Sequence, residues 1–153
     1  METKSSVGGL ILNPKNQILL QRKDEEAWFW PNYWCTFGGA IRDNEDSLEA
    51  FNREVKEELG LEFSDVKFFS SIQALEVART GPKKGFKRII NSHFYATRFD
   101  GNLKNIRLGE GAGLSFFDEE EIAKYNQLGL VIPHVYEAIQ KLYESLRAGT
   151  FKI

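Results

Sequence analysis

The chain of 153 residues predicts an α/β (α+β) fold, a mixed β-sheet held between helices in an α/β/α sandwich. Three observations carry that expectation. Short apolar runs with strand character open the chain, a strongly amphipathic helical stretch interrupts them near residue 50, and two more helical stretches follow a second group of strands.

Residues 7–12 and 18–22 are strand-like and are separated by Asn13-Pro14-Lys15-Asn16-Gln17, so they read as a hairpin. The densest aromatic cluster follows, Trp28-Phe29-Trp30-Pro31-Asn32-Tyr33-Trp34. Pro31 and Asn32 favour a turn, which puts these rings on a loop entering a strand at 34–37. Trp34 is expected to pack beneath the helix that comes next.

That helix is expected over residues 47–59. Leu48, Phe51, Val55 and Leu59 recur at helical spacing, Asp46 and Glu49 form a capping box, and Gly60 follows the last turn. Strands are then expected from 66 to about 77 and from about 88 to 99, joined by the turn-rich Thr80-Gly81-Pro82-Lys83-Lys84-Gly85. The second alternates imperfectly, as a strand buried on both faces does. A glycine-rich loop at 108–113 leads to a strand at 114–117. Asp118 to Glu121 open a short helix with acids at its favourable end, and Pro133 starts a last helix running to Gly149 with Val135, Ile139, Leu142 and Leu146 on one face.

Composition narrows the class. Hydrophobic residues are 42%, charged residues 27% and the net charge −2, with no basic block, so nothing electrostatic argues for duplex nucleic acid or a membrane partner. The single cysteine, Cys35, leaves no internal disulfide framework. With no signal-peptide core and no long apolar run, residues 1–153 are expected to form one cytoplasmic domain; a homodimer stays open.

The helix at 47–59 carries the chemistry. At about 100° per residue its apolar four fall in an arc of roughly 80°, and Glu54, Glu57 and Glu58 cluster in the neighbouring arc of about 100°. Glu54 faces the other two at i+3 and i+4, each like-charge pair costing roughly 0.2–0.5 kcal/mol, and the last turn is where the macrodipole least favours acids. Lys56 lies on another side. Convergent carboxylates of this kind suit a hard divalent cation, since Mg²⁺ takes oxygen ligands and shares them with water and phosphate.

Gly39, Glu45, Arg53-Glu54-Val55, Glu57-Glu58 and Gly60-Leu61 stand at the spacing of the signature box of the Nudix hydrolases, which this stretch resembles at every defining position. The resemblance implies the Nudix fold and hydrolysis of a diphosphate linkage in a nucleoside diphosphate joined to a group X. It implies Mg²⁺, with Mn²⁺ as the alternative, on Glu54, Glu57, Glu58, the Gly39 carbonyl and Glu110. Arg53 is expected to orient Glu54 or another box carboxylate, and Glu45 to close the loop. Glu57 or Glu110 serves as general base. Arg22 at the strand end is expected to meet substrate phosphate, Gly38 and Gly39 to let the backbone approach it, and Trp28 or Trp30 to stack on the base.

Phe37 stands where relatives commonly have proline, a departure that leaves the glycines in place. The Glu110 loop is similar to that of the nucleotide-sanitising members, which favours a nucleoside triphosphate, damaged or not, cleaved to monophosphate and pyrophosphate. Marker residues of the ADP-ribose and dinucleoside polyphosphate enzymes are missing: Glu76 stands at the proline position, and 78–80 hold no tyrosine. The alternatives are those two activities, a nucleotide-sugar hydrolase, and a non-catalytic nucleotide-binding regulatory module. Against the module stand the retained carboxylates.

Overall fold

β1 (Glu2–Leu12) is the strand on which the sheet is built. After it come β2 (Ile18–Arg22), β3 (Trp34–Cys35), β4 (Phe37–Ala40), α1 (Ser47–Leu59), β5 (Lys67–Val77), β6 (Lys87–Arg98), β7 (Leu114–Phe117), α2 (Glu119–Gln127) and α3 (Pro133–Ala148). The structure, a computed structural model, describes residues 1–101 and 113–153.

β1 pairs in parallel with β6 along its length, antiparallel with β4 where Val7 faces Gly39, and antiparallel with β2 at the hairpin. β5 adds to the far side of β6, while β2 carries both β3 and β7. One parallel pair among antiparallel ones makes the sheet mixed, as expected.

Side-chain alternation along β1 divides the core into two layers. Val7 and Ile11, with Leu19 and Phe37, meet Ala50, Phe51, Val55 and Leu59 of α1. Leu10 and Leu12, with Ile18 and Leu20, meet Val135, Ala138, Ile139 and Leu142 of α3. The sandwich is therefore present, with the carboxylate helix on one face and the late helices on the other.

α1 begins and ends where its caps dictate. The Asp46 carboxylate accepts from the Glu49 amide at 2.8 Å, and Glu49 accepts in return from the Asp46 amide at 3.3 Å. Gly60, at φ 68°, donates to the Lys56 carbonyl at 2.9 Å. One member of the expected apolar stripe is displaced: Leu48 is 40% exposed and Ala50 takes the buried position. Leu48 sits in the first turn on the side turned to solvent.

β1 starts five residues earlier than its apolar pattern, because polar residues 2–6 are ordered by parallel pairing to β6. The strand expected at 34–37 is two, divided at Thr36: β3 serves β2, and β4 serves β1. Among the described residues no helix is long and apolar enough to cross a membrane.

Candidate active site

The site is built where β4 runs into α1. Gly38 has φ 152°, and a Cβ there would lie 1.9 Å from the Val7 carbonyl oxygen, so β1 and β4 close up only around glycine. Its amide donates to Glu58 Oε1 at 3.0 Å, and Gln21 Nε2 donates to Glu58 Oε2 at 2.8 Å. Glu58 is only 5% exposed, and these charge-assisted bonds offset the cost of burying it. At Gly39 a Cβ would lie 2.5 Å from Glu54 Oε1. The missing side chain is what lets that carboxylate rest against the β4 backbone.

Arg53 organises the remaining acids. Its guanidinium donates to Glu45 at 2.6 and 3.1 Å, to Glu54 at 2.8 Å, to Glu57 at 3.5 Å and to the Ala40 carbonyl at 3.0 Å. Arg53 thus contacts Glu54 and Glu57 alike. Glu45 also accepts from the Arg42 amide at 2.8 Å. The Arg53 hydrogen bond, and after it the Arg42 amide, hold the Glu45 carboxyl down at about 2. The same contacts push the Arg53 guanidinium above its ordinary range. Glu45 closes the loop before α1.

Two expectations about the acids change. Their mutual repulsion is relieved within the helix itself, because Arg53 stands between Glu54 and Glu57 while Glu58 turns to Gly38 and Gln21. For the same reason, among the described residues no three acidic, histidine or cysteine side chains are already gathered into a metal cage. The donor chemistry still fits a hard divalent cation: three carboxylates on one helix, all oxygen donors, beside a β4 backbone cleared of side chains. Lys56 pairs with Glu62 at 2.9 Å, away from these acids. Glu110 and its glycine-rich loop lie outside the described residues.

Beside Glu58 opens a cavity of about 450 Å³, lined by Gln21, Lys23, Thr36, Gly38, Glu58 and Ile132 among others. Arg22 is not part of that lining. Gln21 near the end of β2 and Lys23 just past it line the cavity, whereas Arg22 between them is exposed. Burial lowers the Lys23 ammonium below its ordinary range, partly opposed by the nearby Cys35 and Glu76. Gln21 and Lys23 are cavity residues that the sequence alone did not single out. Burial also drives the Cys35 thiol in the same lining up to about 12.

The aromatic loop divides into three roles. Trp28 is 44% exposed and lies over Gly81. Trp30 is held: its indole N–H donates to Glu76 at 2.8 Å, and the Arg79 guanidinium covers its ring at 4.3 Å. Trp34 packs edge-on to Phe117, 4.9 Å between centroids, within the α3 layer of the core. The expectation that it lies beneath α1 is therefore corrected; the short β3 ties it to Val131 and the late helices instead.

A mixed-sheet sandwich presenting a glutamate helix beside a Gly-Gly strand is the frame of a phosphoanhydride hydrolase of the Nudix type. The NUDIX domain model matches residues 2–139, and the chain belongs to that family of pyrophosphohydrolases. An uncharacterized Nudix hydrolase of Listeria innocua is 28% identical over 145 residues, which cover 92% of this chain and 77% of that protein. The MutT protein of Methanosarcina mazei has a similar structure, with TM-score 0.72 at 18% identity over 94% of this chain and 95% of its own. So has the NUDIX domain of Shewanella oneidensis NrtR, solved in complex with ADP ribose, with TM-score 0.68 at 12% identity over 95% and 90%.

Proposed function

We propose that this Nudix hydrolase cleaves nucleoside triphosphates, damaged ones included, to monophosphate and pyrophosphate with Mg²⁺. The observation that carries the reading is the junction of the α1 carboxylates with a cavity holding a half-buried lysine. Glu58 forms one wall of that cavity through its bonds to Gly38 and Gln21, and Lys23 forms another. Anionic oxygens entering there meet the Lys23 ammonium, while the acids stand ready for the cation that phosphate brings with it.

Glu54, Glu57 and Glu58, with the Gly39 carbonyl, are the groups that would hold the metal. When bound it supplies charge neutralisation at the phosphate oxygens and a lowered pKa for water. The chain's own groups do the rest. Arg53 holds Glu54 and Glu57 on one side of α1 through its hydrogen bonds. Lys23 draws phosphate oxygens into the cavity, a point charge suited to that task. Glu57, half exposed at 52%, is open to accept the proton of the attacking water, and Glu110, outside the described residues, is the alternative base.

Phosphate release over a substrate panel tests this, coupled through added pyrophosphatase for nucleoside triphosphates and through added alkaline phosphatase for ADP-ribose, nucleotide sugars and dinucleoside polyphosphates, whose products carry terminal phosphates and no pyrophosphate. Turnover of triphosphates above the rest supports the proposal. Preference for ADP-ribose or a dinucleoside polyphosphate moves the substrate class and leaves the site intact. No turnover of any diphosphate at micromolar enzyme supports a nucleotide-binding module instead.

A further inference from the structure

Glu76 is a buried acid that the reaction does not use. It stands near the end of β5, 5% exposed, between the exposed Leu75 and Val77. Its cross-strand neighbour Arg88 donates from Nε to Oε1 at 3.0 Å, and Nη2 forms an ion pair with the same oxygen at 3.0 Å. The other oxygen, Oε2, accepts from the Trp30 indole, 46 residues away in sequence. A strand-pair ion bridge would need only Arg88. The second bond ties the sheet to the aromatic loop.

That loop needs tying. Trp30 has φ 54° and Asn32 φ 67°, left-handed conformations, and for a residue as bulky as tryptophan such backbone persists only where its surroundings over-determine it. The hairpin tip between β5 and β6 supplies the other fastenings. The Arg79 amide donates to the Trp28 carbonyl at 2.7 Å, Thr80 Oγ1 to the Ala27 carbonyl at 3.0 Å, and the Arg79 guanidinium to Tyr33 Oη at 2.8 Å. Behind the ring, Arg88 lies 3.7 Å over Phe29.

The fastened loop is a wall of the cavity. Lys23, Asp24 and Ala27 line it, and the Lys23 amide donates to the Tyr33 carbonyl at 2.8 Å. We infer that Glu76 is a positioning residue: through the Trp30 indole it holds residues 24–33 in the shape that receives substrate, and so sets affinity while touching no reacting atom. The inference rests on reading this cavity as the substrate site. Glu76 is also one of the groups that oppose the burial effect on the Lys23 ammonium, so its charge favours the cation that the cavity presents.

Trp30→Phe tests this with the least disturbance, because it removes the N–H and keeps an aromatic side chain; Glu76→Ala removes the acceptor. Amide hydrogen exchange of residues 24–33 is measured beside steady-state kinetics on the best wild-type substrate. The expected result is exchange at least tenfold faster in 24–33 with α1 unchanged, and a KM raised at least fivefold while kcat stays within threefold. The double variant should be no worse than Glu76→Ala alone, since both break one bond. Unchanged exchange in Trp30→Phe overturns the clamp. Faster exchange with unchanged KM overturns its role in binding and leaves the hydrolase reading standing. A wild type that turns over nothing on the panel removes that reading, and this inference with it. If Glu76→Ala does not fold, Trp30→Phe decides alone.

Discussion

Adjacent glycines at the mouth of α1 respond to alanine in opposite ways. At Gly39 the added Cβ meets only the end of a side chain, Glu54 Oε1 at 2.5 Å, and an ordinary contact begins near 3.4 Å, so the carboxylate must retreat by roughly 0.9 Å, the difference of the two. Swinging one carboxylate costs little stability, less than about 1 kcal/mol on the scale of a single off-rotamer side chain. Displacement of a site group by about 1 Å, however, is worth on the order of 10²-fold in rate. Gly39→Ala is therefore expected to melt near wild type and to lose about 10² in kcat. At Gly38 the obstacle is the Val7 carbonyl at 1.9 Å, which is backbone, and φ 152° is itself unfavourable for alanine. Strain of that kind costs about 1–3 kcal/mol before any clash, and a chain of this size loses roughly 2–4 °C of Tm per kcal/mol. Gly38→Ala should thus fail in stability first. Thermal unfolding beside pyrophosphatase-coupled kinetics reads both. A Gly39→Ala enzyme with wild-type kcat would refute the argument that this glycine exists to seat Glu54.

Further expectations follow from the same geometry. Glu57→Gln and Glu58→Gln should each lower kcat at least ~10²-fold, by removing charge where the metal would be held. Only Glu58→Gln should also cost stability, about 1–3 kcal/mol, because a buried amide would set its own donor against Gly38 N–H or Gln21. Chemical denaturation separates the two. Trp28→Ala should raise KM by the equivalent of roughly 1–3 kcal/mol with kcat held if its exposed ring stacks on the base; a normal KM would remove Trp28 from the binding site. For Glu45 the folded pKa is depressed, so its pairing with Arg53 contributes fully above the ordinary 4.5 and is lost as pH falls through about 2. Carboxyl NMR titration should show that midpoint, and Arg53→Lys should move it upward.

What could be read from the chain without coordinates was whatever is local. The limits of α1 follow from Asp46, Glu49 and Gly60, all within one turn of its ends, and α2 and α3 follow from Asp118 and Pro133 in the same way. The box residues were legible because their spacing is fixed along one helix. Features that depend on a distant partner were not. The face of β2 that meets the cavity is set by Glu58, 37 residues beyond Gln21, and without it Arg22 and Lys23 are indistinguishable strand-end cations. Trp34 was assigned to the wrong layer because β3 is two residues long and takes its neighbours from Val131. Glu76 appeared only as a position where a proline was missing, and its bond to Trp30 has no sequence signature.

The central claim is that the α1 carboxylates hold a divalent cation, and Mn²⁺ titration followed by the paramagnetic resonance of free Mn²⁺ tests it without any turnover. Wild-type protein is expected to take up Mn²⁺, release it to excess Mg²⁺, and lose that uptake in Glu57→Gln and Glu58→Gln, provided the variants keep a wild-type circular dichroism spectrum. Equal Mn²⁺ uptake by wild type and both folded variants would contradict the claim.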